Sequence, residues 1–216
     1  MCKRCDTKPV IKQKSGRSLC KKCFTQYFEK KARKTISQFK MVDSKDSLIV
    51  GISGGKDSAA VLYILAGIAQ THNKIKITAI TIDEGIIGYR PVTLESAKQL
   101  CKQLGIKHVI VSFKKELGYS LDEMVEKLDI NPCTICGVFR RYLLNKYSRK
   151  LKANRLATGH NLDDEAQSVI MNQFRSNVEG SARLGPVTGI VNDVLFVRRI
   201  KPFYLLEERE VMLYSF

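Results

Sequence analysis

The residues best suited to chemistry form a short glycine loop, Ser53–Ser58, with the sequence SGGKDS. Its adjacent glycines let the backbone turn tightly and approach a ligand closely. A helix that begins directly after the loop offers free N–H groups and a dipole that favour an anion, and Lys56 adds a positive charge. The loop therefore predicts a phosphate site. It is not a Walker A loop, because that pattern needs four residues between its first glycine and its Gly-Lys pair.

The segments on either side of this loop have the patterns needed to position it. Leu48–Ile52 is an apolar run that is too short for a helix and rich in β-branched residues, which predicts a buried parallel strand. From Asp57 onward, apolar residues recur at helical spacing as far as Ile68. The alternative is an ordinary glycine turn before a helix, without a ligand.

Four cysteines near the N-terminus form two pairs, Cys2-x-x-Cys5 and Cys20-x-x-Cys23, with fourteen residues between the pairs. Two such pairs can close a tetrahedral four-thiolate site, which suits structural zinc. Because the segment is short and polar, the metal would supply much of its folding free energy. Disulfides or free thiols are the alternative, and a reducing cytosol disfavours disulfides.

A third CxxC motif, Cys133-x-x-Cys136, follows Pro132 and leads into a predicted basic helix over Val138–Lys152. A helix N-terminus and nearby arginines lower the pKa of a thiol, which favours the thiolate as nucleophile or metal ligand. The motif alone is also compatible with a redox pair, half of a metal site or a chance spacing. Cys101 differs, because it lies on an apolar helix face and is predicted to be a core residue.

Acidic residues follow two further predicted strands. Asp83 and Gly85 come at the end of an apolar strand, where open α/β sheets bind their ligands, and are expected at the adenosine end of a nucleotide. The strand that ends at Gly159 is followed by Asp163 and Asp164, whose carboxylates suit magnesium or proton transfer. The alternative is that these two acids only cap the next helix.

The chain of 216 residues carries a formal net charge of +16, which predicts a polyanionic partner, with nucleic acid as the first candidate. Residues 1–45 hold fourteen Lys and Arg against three acidic residues, so most of the charge is local. A predicted basic helix over Phe24–Phe39 suits phosphate contacts, and a solvated face is the alternative. Its aromatic residues Phe24, Tyr27 and Phe28 could stack on bases or pack the ribbon against the helix.

The alternation of short apolar strands with helices predicts an α/β fold, in which an open parallel sheet carries helices on both faces beside a small N-terminal zinc ribbon. The predicted domains are a zinc ribbon over 1–26, a basic linker helix over 27–46 and a nucleotide-binding domain over 47–216. Other predicted elements are strands at Ile75–Asp83, His108–Val111 and within Val187–Arg199, helices at Val92–Leu104, Glu116–Leu128 and Glu207–Tyr214, a helix with Ala166, Val169 and Ile170 facing the core, and a polar phosphate-contacting loop after Asn172.

No apolar run reaches the roughly 18 residues of a membrane span, and no secretory signal is recognisable, so we expect a cytoplasmic protein.

Four features, in order along the chain, resemble one enzyme family: the paired N-terminal CxxC motifs, SGGKDS, PCTICGVFRR and ATGHNLDDEA. SGGKDS resembles the PP-loop of the N-type ATP pyrophosphatases, which cleave ATP between the α and β phosphates. The combination resembles the tRNA 2-thiolation enzymes of the TtcA/TtuA family, above all the archaeal and cytosolic proteins that thiolate uridine. The resemblance implies adenylation of the C2 carbonyl of a uridine, preferably at position 34, followed by sulfur transfer.

The same resemblance implies roles for individual residues and cofactors. The residues implied at the ATP site are Ser53, Gly54, Gly55, Lys56, Asp57, Ser58, Asp83, Gly85, Gly159 and His160. Asp164 and Arg140 would act at the activated uridine, and Cys133 and Cys136 would hold a 4Fe-4S cluster. The residues expected to contact tRNA are Lys30, Lys31, Arg33, Lys34, Arg175 and Arg183. Magnesium would accompany ATP, zinc would occupy the N-terminal cysteine site, sulfide or a ubiquitin-like thiocarboxylate protein would supply sulfur, and the chain would form a homodimer.

The sequence departs from the family pattern at one point. The family's cluster takes a third cysteine well downstream, and no cysteine follows Cys136. We therefore expect the domain over 47–216 to be truncated at its C-terminus. Other hypotheses are thiolation through a persulfide on Cys133 and Cys136 without a cluster, a PP-loop ligase that forms an amide, and a non-catalytic RNA-binding zinc protein.

Overall fold

The computed structural model describes residues 1–71, 74–189 and 195–215. Its strands are β1 (Ile11–Lys12), β2 (Ser18–Leu19), β3 (Ser47–Gly51), β4 (Lys76–Asp83), β5 (Lys107–Ser112), β6 (Arg155–Ala157), β7 (Val187–Thr188) and β8 (Arg198–Ile200). Its helices are α1 (Lys21–Gln38), α2 (Lys56–Thr71), α3 (Arg90–Gln103), α4 (Phe113–Leu117), α5 (Leu121–Lys127), α6 (Pro132–Lys150), α7 (Leu162–Phe174), α8 (Val178–Ala182) and α9 (Glu208–Tyr214).

The main sheet confirms the predicted α/β architecture. Its strand order is β5-β4-β3-β6-β8-β7, and every pairing is parallel except that of the edge strand β7 with β8. Leu48, Ile49 and Val50 of the central strand β3 are at most 1% exposed, because both faces of the sheet are covered. The chain runs outward from β3 to β4 and β5, then returns to the other side of β3 as β6. This reversal leaves a crevice at the carboxyl ends of β3 and β6, where such folds bind ligands.

The N-terminal hairpin of β1 and β2 leads directly into α1, so one helix crosses the predicted domain boundary between residues 26 and 27. Phe24 and Phe28 are buried. The Phe28 ring stacks on Tyr214 with 4.2 Å between centroids and meets Phe203 edge-on at 5.3 Å. Phe28 therefore joins α1 to the C-terminal segment. Both phenylalanines share one buried core with Leu19 and Cys20 of the ribbon, as the packing alternative predicts, and do not stack on bases. Cys101 lies in the same core, as predicted.

The predicted helix over Glu116–Leu128 is in fact two helices, α4 and α5. Gly118 ends the first one in the left-handed region, at φ +84°. Ser120 begins the second one with a capping box, in which its side chain and that of Glu123 each accept a backbone N–H of the other. The helical spacing of the apolar residues continues across this break, so periodicity alone did not reveal it.

The prediction that Ala166, Val169 and Ile170 face the core is wrong. All three are exposed on α7. The helix instead buries Glu165, whose carboxylate binds the ammonium of Lys201. The apolar spacing identified the helix correctly, but it did not indicate which side the rest of the molecule covers.

The segment after α7 is partly helical, whereas the sequence predicted a polar loop after Asn172. It contains the short helix α8, and the predicted strands within Val187–Arg199 correspond to β7 and the start of β8. Residues 190–194 of that prediction lie outside the described residues. In the described parts of the chain, no helix has the length and apolar character to cross a membrane.

Candidate functional site

The predicted phosphate loop, Ser53–Ser58, connects β3 to α2 at the centre of the sheet. Gly54 has a φ of +88°, and a Cβ atom there would lie 2.2 Å from the carbonyl oxygen of Thr93, so only glycine fits. The Gly55 N–H donates to Ser53 Oγ, and the Ser53 N–H donates to Ser58 Oγ, both at 3.2 Å. These bonds curl the loop before the first turn of α2, whose N–H groups have no partners within the helix and can bind an anion.

Lys56, at the start of α2, is held by two carboxylates. Its Nζ lies 3.0 Å from Asp57 Oδ2 and 3.2 Å from Glu208 Oε1 of α9. Burial opposes the charge of Lys56, but the hydrogen bonds to Asp57 and Glu208 outweigh it and raise the pKa of the ammonium. Lys56 is therefore positively charged at neutral pH. Glu208 is 152 residues away in sequence, and no pattern in the sequence indicated this contact.

A cavity of about 330 Å³, which we call the nucleotide pocket, opens where the carboxyl ends of β3, β4 and β6 meet. The predicted site residues that line it are Ser53, Asp57, Ser58, Arg140, Gly159, His160 and Asp164. The predicted residues outside its lining are Gly54, Gly55, Lys56, Asp83 and Gly85. A Cβ atom at Gly159 would lie 3.0 Å from the backbone of Asp57 and Ser58, so the lack of a side chain brings β6 against the phosphate loop. The fold thus assembles one pocket from three separate motifs.

Asp83 and Gly85 form a turn beside the nucleotide pocket. The Gly85 N–H donates to Asp83 Oδ1 at 3.0 Å. Gly85 has a φ of +78°, and a Cβ atom there would lie 2.8 Å from Ser120 Cβ. Close packing against α5 therefore explains glycine at this position, and contact with adenosine stays a prediction.

Asp164 both caps α7 and lines the nucleotide pocket. Asn161 is the N-cap residue, and its Oδ1 accepts the Asp164 N–H at 3.2 Å, while Asp164 Oδ2 accepts the Asn161 N–H at 2.9 Å. Asp163 has a different contact, because its Oδ2 accepts the Glu208 N–H at 2.7 Å and secures the start of α9. Capping therefore occupies one oxygen of Asp164. Within the described residues, the other oxygen has no hydrogen-bond partner and is available to a ligand.

Two buried residues in the lining of the pocket, Glu84 and Arg90, are functional candidates that the sequence analysis missed. Arg90 Nε lies 2.9 Å from Glu84 Oε2. The Arg90 guanidinium also donates to the carbonyl oxygens of Ser53, at 3.1 Å, and Ile82, and so ties the phosphate loop to β4. Burial raises the pKa of Glu84, and the Arg90 cation acts in the opposite direction. The only sequence signal was an acid after a strand, followed by an arginine at a helix start.

Replacing Glu84 by alanine is expected to lower the free energy of unfolding by about 3–5 kcal/mol, because Arg90 would keep a buried charge without its partner. Urea denaturation of the variant measures this change. The matched control is Glu95→Ala, because Glu95 and Lys98 form an exposed ion pair at 3.8 Å, and such pairs contribute little. Equal urea midpoints for the two variants would contradict the assignment of Arg90 and Glu84 as a structural pair.

The third CxxC motif lies within α6, which begins at Pro132 and not at the predicted Val138. The Asn131 side chain caps the helix by accepting the Cys133 N–H at 2.9 Å, and proline suits the first helical position. Cys133 and Cys136 therefore lie in the first turns of α6.

The two thiols of α6 differ in exposure. Arg140, which lies on the same helix, is the residue that connects this part of α6 with the nucleotide pocket. Cys133 is exposed and Cys136 is buried. Burial raises the pKa of Cys136, and Arg140 opposes that effect. Arg140 lies one turn further along α6, lines the pocket and reaches to 3.7 Å from Glu84 Oε1. The thiol pair fits two ligands of a metal cluster, and the described residues offer it no third cysteine, histidine or carboxylate.

The N-terminal cysteines form the tetrahedral set that the sequence predicted. The Sγ atoms of Cys2, Cys5, Cys20 and Cys23 all lie within 4.8 Å of one another. Cys20 occupies the N-cap position of α1, and the nearby Cys23 N–H is the main cause that lowers the pKa of Cys20 to about 6, which favours the thiolate that a metal needs. Four thiolates in a closed, mostly buried arrangement fit structural zinc.

The predicted tRNA contacts have different surroundings. Lys30, Arg33 and Lys34 are exposed on α1, in keeping with a phosphate-contacting face. Lys31 instead pairs with the buried Glu210 of α9 at 2.7 Å, so its charge is already compensated. A second set of residues expected to contact tRNA lies beyond α7. Arg175 is exposed at the end of that helix, and Arg183 lines a cavity next to the nucleotide pocket.

Comparison with known proteins places this fold and site in one family. Residues 25–214 match the PP-loop domain family. A probable sulfurtransferase of Methanocaldococcus jannaschii is 39% identical over 207 residues, which cover 93% of this chain and 60% of that protein. The cytoplasmic tRNA 2-thiolation protein 1 of Arabidopsis thaliana is 37% identical over 221 residues, which cover 100% of this chain and 61% of that protein. The chain therefore spans about three fifths of the length of the curated relatives it matches.

A solved structure agrees with these matches. The U34-tRNA thiolase NcsA from Methanococcus maripaludis, determined with its [4Fe-4S] cluster, superposes with a TM-score of 0.88 at 39% identity, covering 99% of this chain and 70% of that one. The phosphate loop between β3 and α2 and the strand reversal beside it agree with these four matches. The chain therefore belongs to the PP-loop family and, within it, to the group of tRNA 2-thiolation proteins.

Proposed function

We propose that this chain is the ATP-binding part of an enzyme that thiolates a uridine of tRNA at C2, with position 34 as the target. The observation that carries the proposal is the continuity between the phosphate loop and the CxxC motif of α6. Arg140 lines the nucleotide pocket one turn away from Cys136, which supports ATP-dependent activation and thiol chemistry at neighbouring positions. The names of the relatives support the same activity.

The proposed reaction has two steps. The C2 carbonyl oxygen of uridine attacks the α-phosphorus of ATP, and the bond to the β-phosphate breaks to release pyrophosphate. A sulfide sulfur then attacks C2, and the C2–O bond breaks as AMP leaves with the former carbonyl oxygen. The N–H groups of Ser53–Ser58 and the Lys56 ammonium hold the phosphates, whose negative charge replaces the carboxylate contacts of Lys56. The Asp57 carboxylate, which lines the pocket, would hold the magnesium ion that accompanies ATP, since it is an oxygen ligand of the kind that magnesium prefers.

The other pocket residues take positions around the reacting carbon. Asp164 presents its free carboxylate oxygen to the uridine and moves a proton there. Arg140 compensates the negative charge that develops on the phosphate. Asp83 and Gly85 contact the adenosine, and Gly159 and His160 complete the wall of the pocket.

Cys133 and Cys136 hold the group that takes part in sulfur transfer. We propose that they provide two ligands for a 4Fe-4S cluster, which when bound supplies an open iron site for sulfide. The sulfur comes from sulfide or from a ubiquitin-like thiocarboxylate protein. Transfer through a persulfide on the same cysteines is the alternative. It would require a donor that already carries sulfane sulfur, because sulfide and a thiocarboxylate cannot form a persulfide without a two-electron oxidant, and attack of the second thiol on the S–S bond would then leave a disulfide. Iron content separates the two routes.

The remaining expectations concern assembly and location. The tRNA binds to the zinc ribbon over 1–26 and to the basic helix over 27–46, whose Lys30, Arg33 and Lys34 contact its phosphates. The domain over 47–216 performs the chemistry. We propose a homodimer, and the exposed apolar side chains of α7 support contact with a second copy. The relatives named as cytoplasmic proteins support a cytoplasmic location. Light scattering of the purified chain measures the oligomeric state.

Replacing Asp164 by asparagine tests the proposed chemistry. We expect tRNA-dependent release of AMP and pyrophosphate to fall about 10²–10⁴-fold, since the substitution removes proton transfer at the uridine. The asparagine keeps an oxygen that caps α7, so the helix survives. Chromatography of AMP in the presence and absence of unmodified tRNA measures the effect, and Asp129→Asn, an exposed acid outside the pocket, is the control.

Three results would contradict the proposed function. AMP release by the wild-type protein that does not depend on tRNA would indicate a ligase acting on a small substrate. The absence of AMP release despite tRNA binding would indicate a non-catalytic RNA-binding protein. Equal activity of wild type and Asp164→Asn would remove Asp164 from the reaction.

A further inference from the structure

A second cavity of about 370 Å³ adjoins the nucleotide pocket, and we call it the arginine cavity. It shares Arg140, Leu144, Thr158 and His160 with the nucleotide pocket, so the two spaces lie side by side. Its charged lining residues are Arg140, Arg141, Arg183, Arg199, Lys201 and Glu165. Five basic groups against one acidic group make this cavity a site for an anion.

Three of the five basic groups already have carboxylate partners. Lys201 binds Glu165, Arg183 lies 3.0 Å from Glu179, and Arg140 lies 3.7 Å from Glu84. Arg141 and Arg199 have no carboxylate within ion-pair distance among the residues that the structure describes. Two neighbouring guanidinium groups therefore face the cavity without compensation.

Arg199 is the stronger indicator of a ligand, because it is half-buried on β8. Burial lowers the pKa of its guanidinium, and the nearby Arg141 charge lowers it further. Arginine nevertheless stays charged in proteins. A half-buried cation beside a like charge is costly unless an anion binds between them, and a phosphate accepts hydrogen bonds from two guanidinium groups.

The arginine cavity opens on its far side into a groove of about 830 Å³, which shares Arg141, Arg183 and Arg199 with it. The groove is also lined by Tyr142 and Phe196, whose residues are 53% and 60% exposed. Exposed aromatic rings beside arginines are the usual platform for unstacked bases of single-stranded RNA, where bases stack and phosphates pair with cations.

We propose that the arginine cavity binds the phosphates that flank the target nucleotide of single-stranded RNA, with a neighbouring base stacked on Tyr142 or Phe196. The inference rests on the proposed function and adds a path for its substrate. The target base enters the nucleotide pocket, Arg141 and Arg199 hold the adjoining phosphates, and the strand leaves along the groove. A nucleotide must be extruded from its stack to reach a pocket of this kind. An acidic protein tail would also satisfy the arginines, but it would not use the aromatic rings.

Arg199→Ala and Arg141→Ala test the phosphate contacts. Fluorescence anisotropy measures binding of labelled tRNA and of an oligouridylate at several salt concentrations. We expect each variant to weaken binding about 5- to 20-fold and to reduce the slope of log K against log salt by about 1, since each removes one phosphate contact. Arg149→Ala is the matched control, because Arg149 is exposed on the same helix as Arg141 and lines neither cavity.

Phe196→Ala tests the stacking platform. Stacking on one aromatic ring corresponds to about 5- to 100-fold in affinity, and we expect a loss in that range without a change in the salt slope. ATP binding and urea midpoints of all variants are measured in parallel, and we expect both to match wild type.

The inference fails if wild type binds RNA and the Arg141, Arg199 and Phe196 variants bind it equally well, an outcome that leaves the proposed function intact. It also fails if polyglutamate displaces RNA as effectively as oligouridylate does, since the cavity would then suit an acidic protein tail. Loss of ATP binding in the arginine variants would place these residues in the nucleotide pocket instead. Absence of salt-dependent RNA binding by wild type would overturn both proposals.

Discussion

Replacing Cys20 by alanine is expected to reduce zinc from about one ion per chain to a small fraction, and to unfold the N-terminal ribbon. The four thiols lie within 4.8 Å of one another, so each is one corner of a closed site. A structural zinc ion contributes on the order of 10–16 kcal/mol in small zinc domains. The ribbon has little else to hold it, because its two strands, β1 and β2, contain two residues each. Elemental analysis and amide hydrogen exchange of residues 1–23 measure the two effects.

The control for this experiment is Cys101→Ala. Cys101 is also buried, but it lies on α3 in the core and is not one of the four clustered thiols. We expect this variant to keep its zinc and the slow exchange of the ribbon. Full zinc content in Cys20→Ala, or equal zinc loss in both variants, would show that the four cysteines do not form the metal site.

Replacing Gly54 by alanine is expected to weaken ATP binding by about 100-fold or more. A non-glycine residue at positive φ costs roughly 1–2 kcal/mol, and here the added Cβ would also lie 2.2 Å from Thr93 O and 2.8 Å from Thr93 C. The obstruction is backbone of α3 and cannot rotate away, so the phosphate loop must shift. A loss of about 2.8 kcal/mol corresponds to the 100-fold change. Calorimetric titration with ATP measures it.

Gly105→Ala separates the two causes. Gly105 also has a positive φ, +64°, but no atom lies within 4 Å of the Cβ it would acquire. We expect this variant to lose some stability in urea and to bind ATP as wild type does. A Gly54→Ala protein that binds ATP within about 3-fold of wild type would contradict a phosphate site at this loop, because the distortion exceeds what tight phosphate binding tolerates.

The features that the sequence predicted well are those made by residues close together in the chain. The loop Ser53–Ser58 follows its strand and precedes its helix directly, so its apolar pattern and glycines identify all three parts. Each CxxC pair near the N-terminus likewise holds its two thiols at ligand spacing, because only two residues lie between them. The parallel sheet also followed, since short apolar runs alternate with helical patterns.

Contacts between segments that are far apart in the sequence could not be predicted from such local patterns. The Glu208 carboxylate reaches Lys56 across 152 residues, and the Glu84 pair with Arg90 depends on how β4 meets α3. The exposed apolar face of α7 is a further case, because spacing reports that one side of a helix is apolar but not what covers it.

The start of α6 and the arginine cavity are two further features that the apolar and charge patterns of the sequence did not indicate. The Asn131 side-chain bond and Pro132 at the first helical position start α6 six residues before the predicted basic helix. In the sequence, Arg141 and Arg199 do not differ from the other basic residues of their two segments. They become a candidate phosphate site only because β8 lies beside β6, and α6 packs over the same end of the sheet. Local patterns encode the parts of this site, and the order of strands in the sheet determines which parts meet, because pairing between distant strands leaves no periodic trace in the sequence.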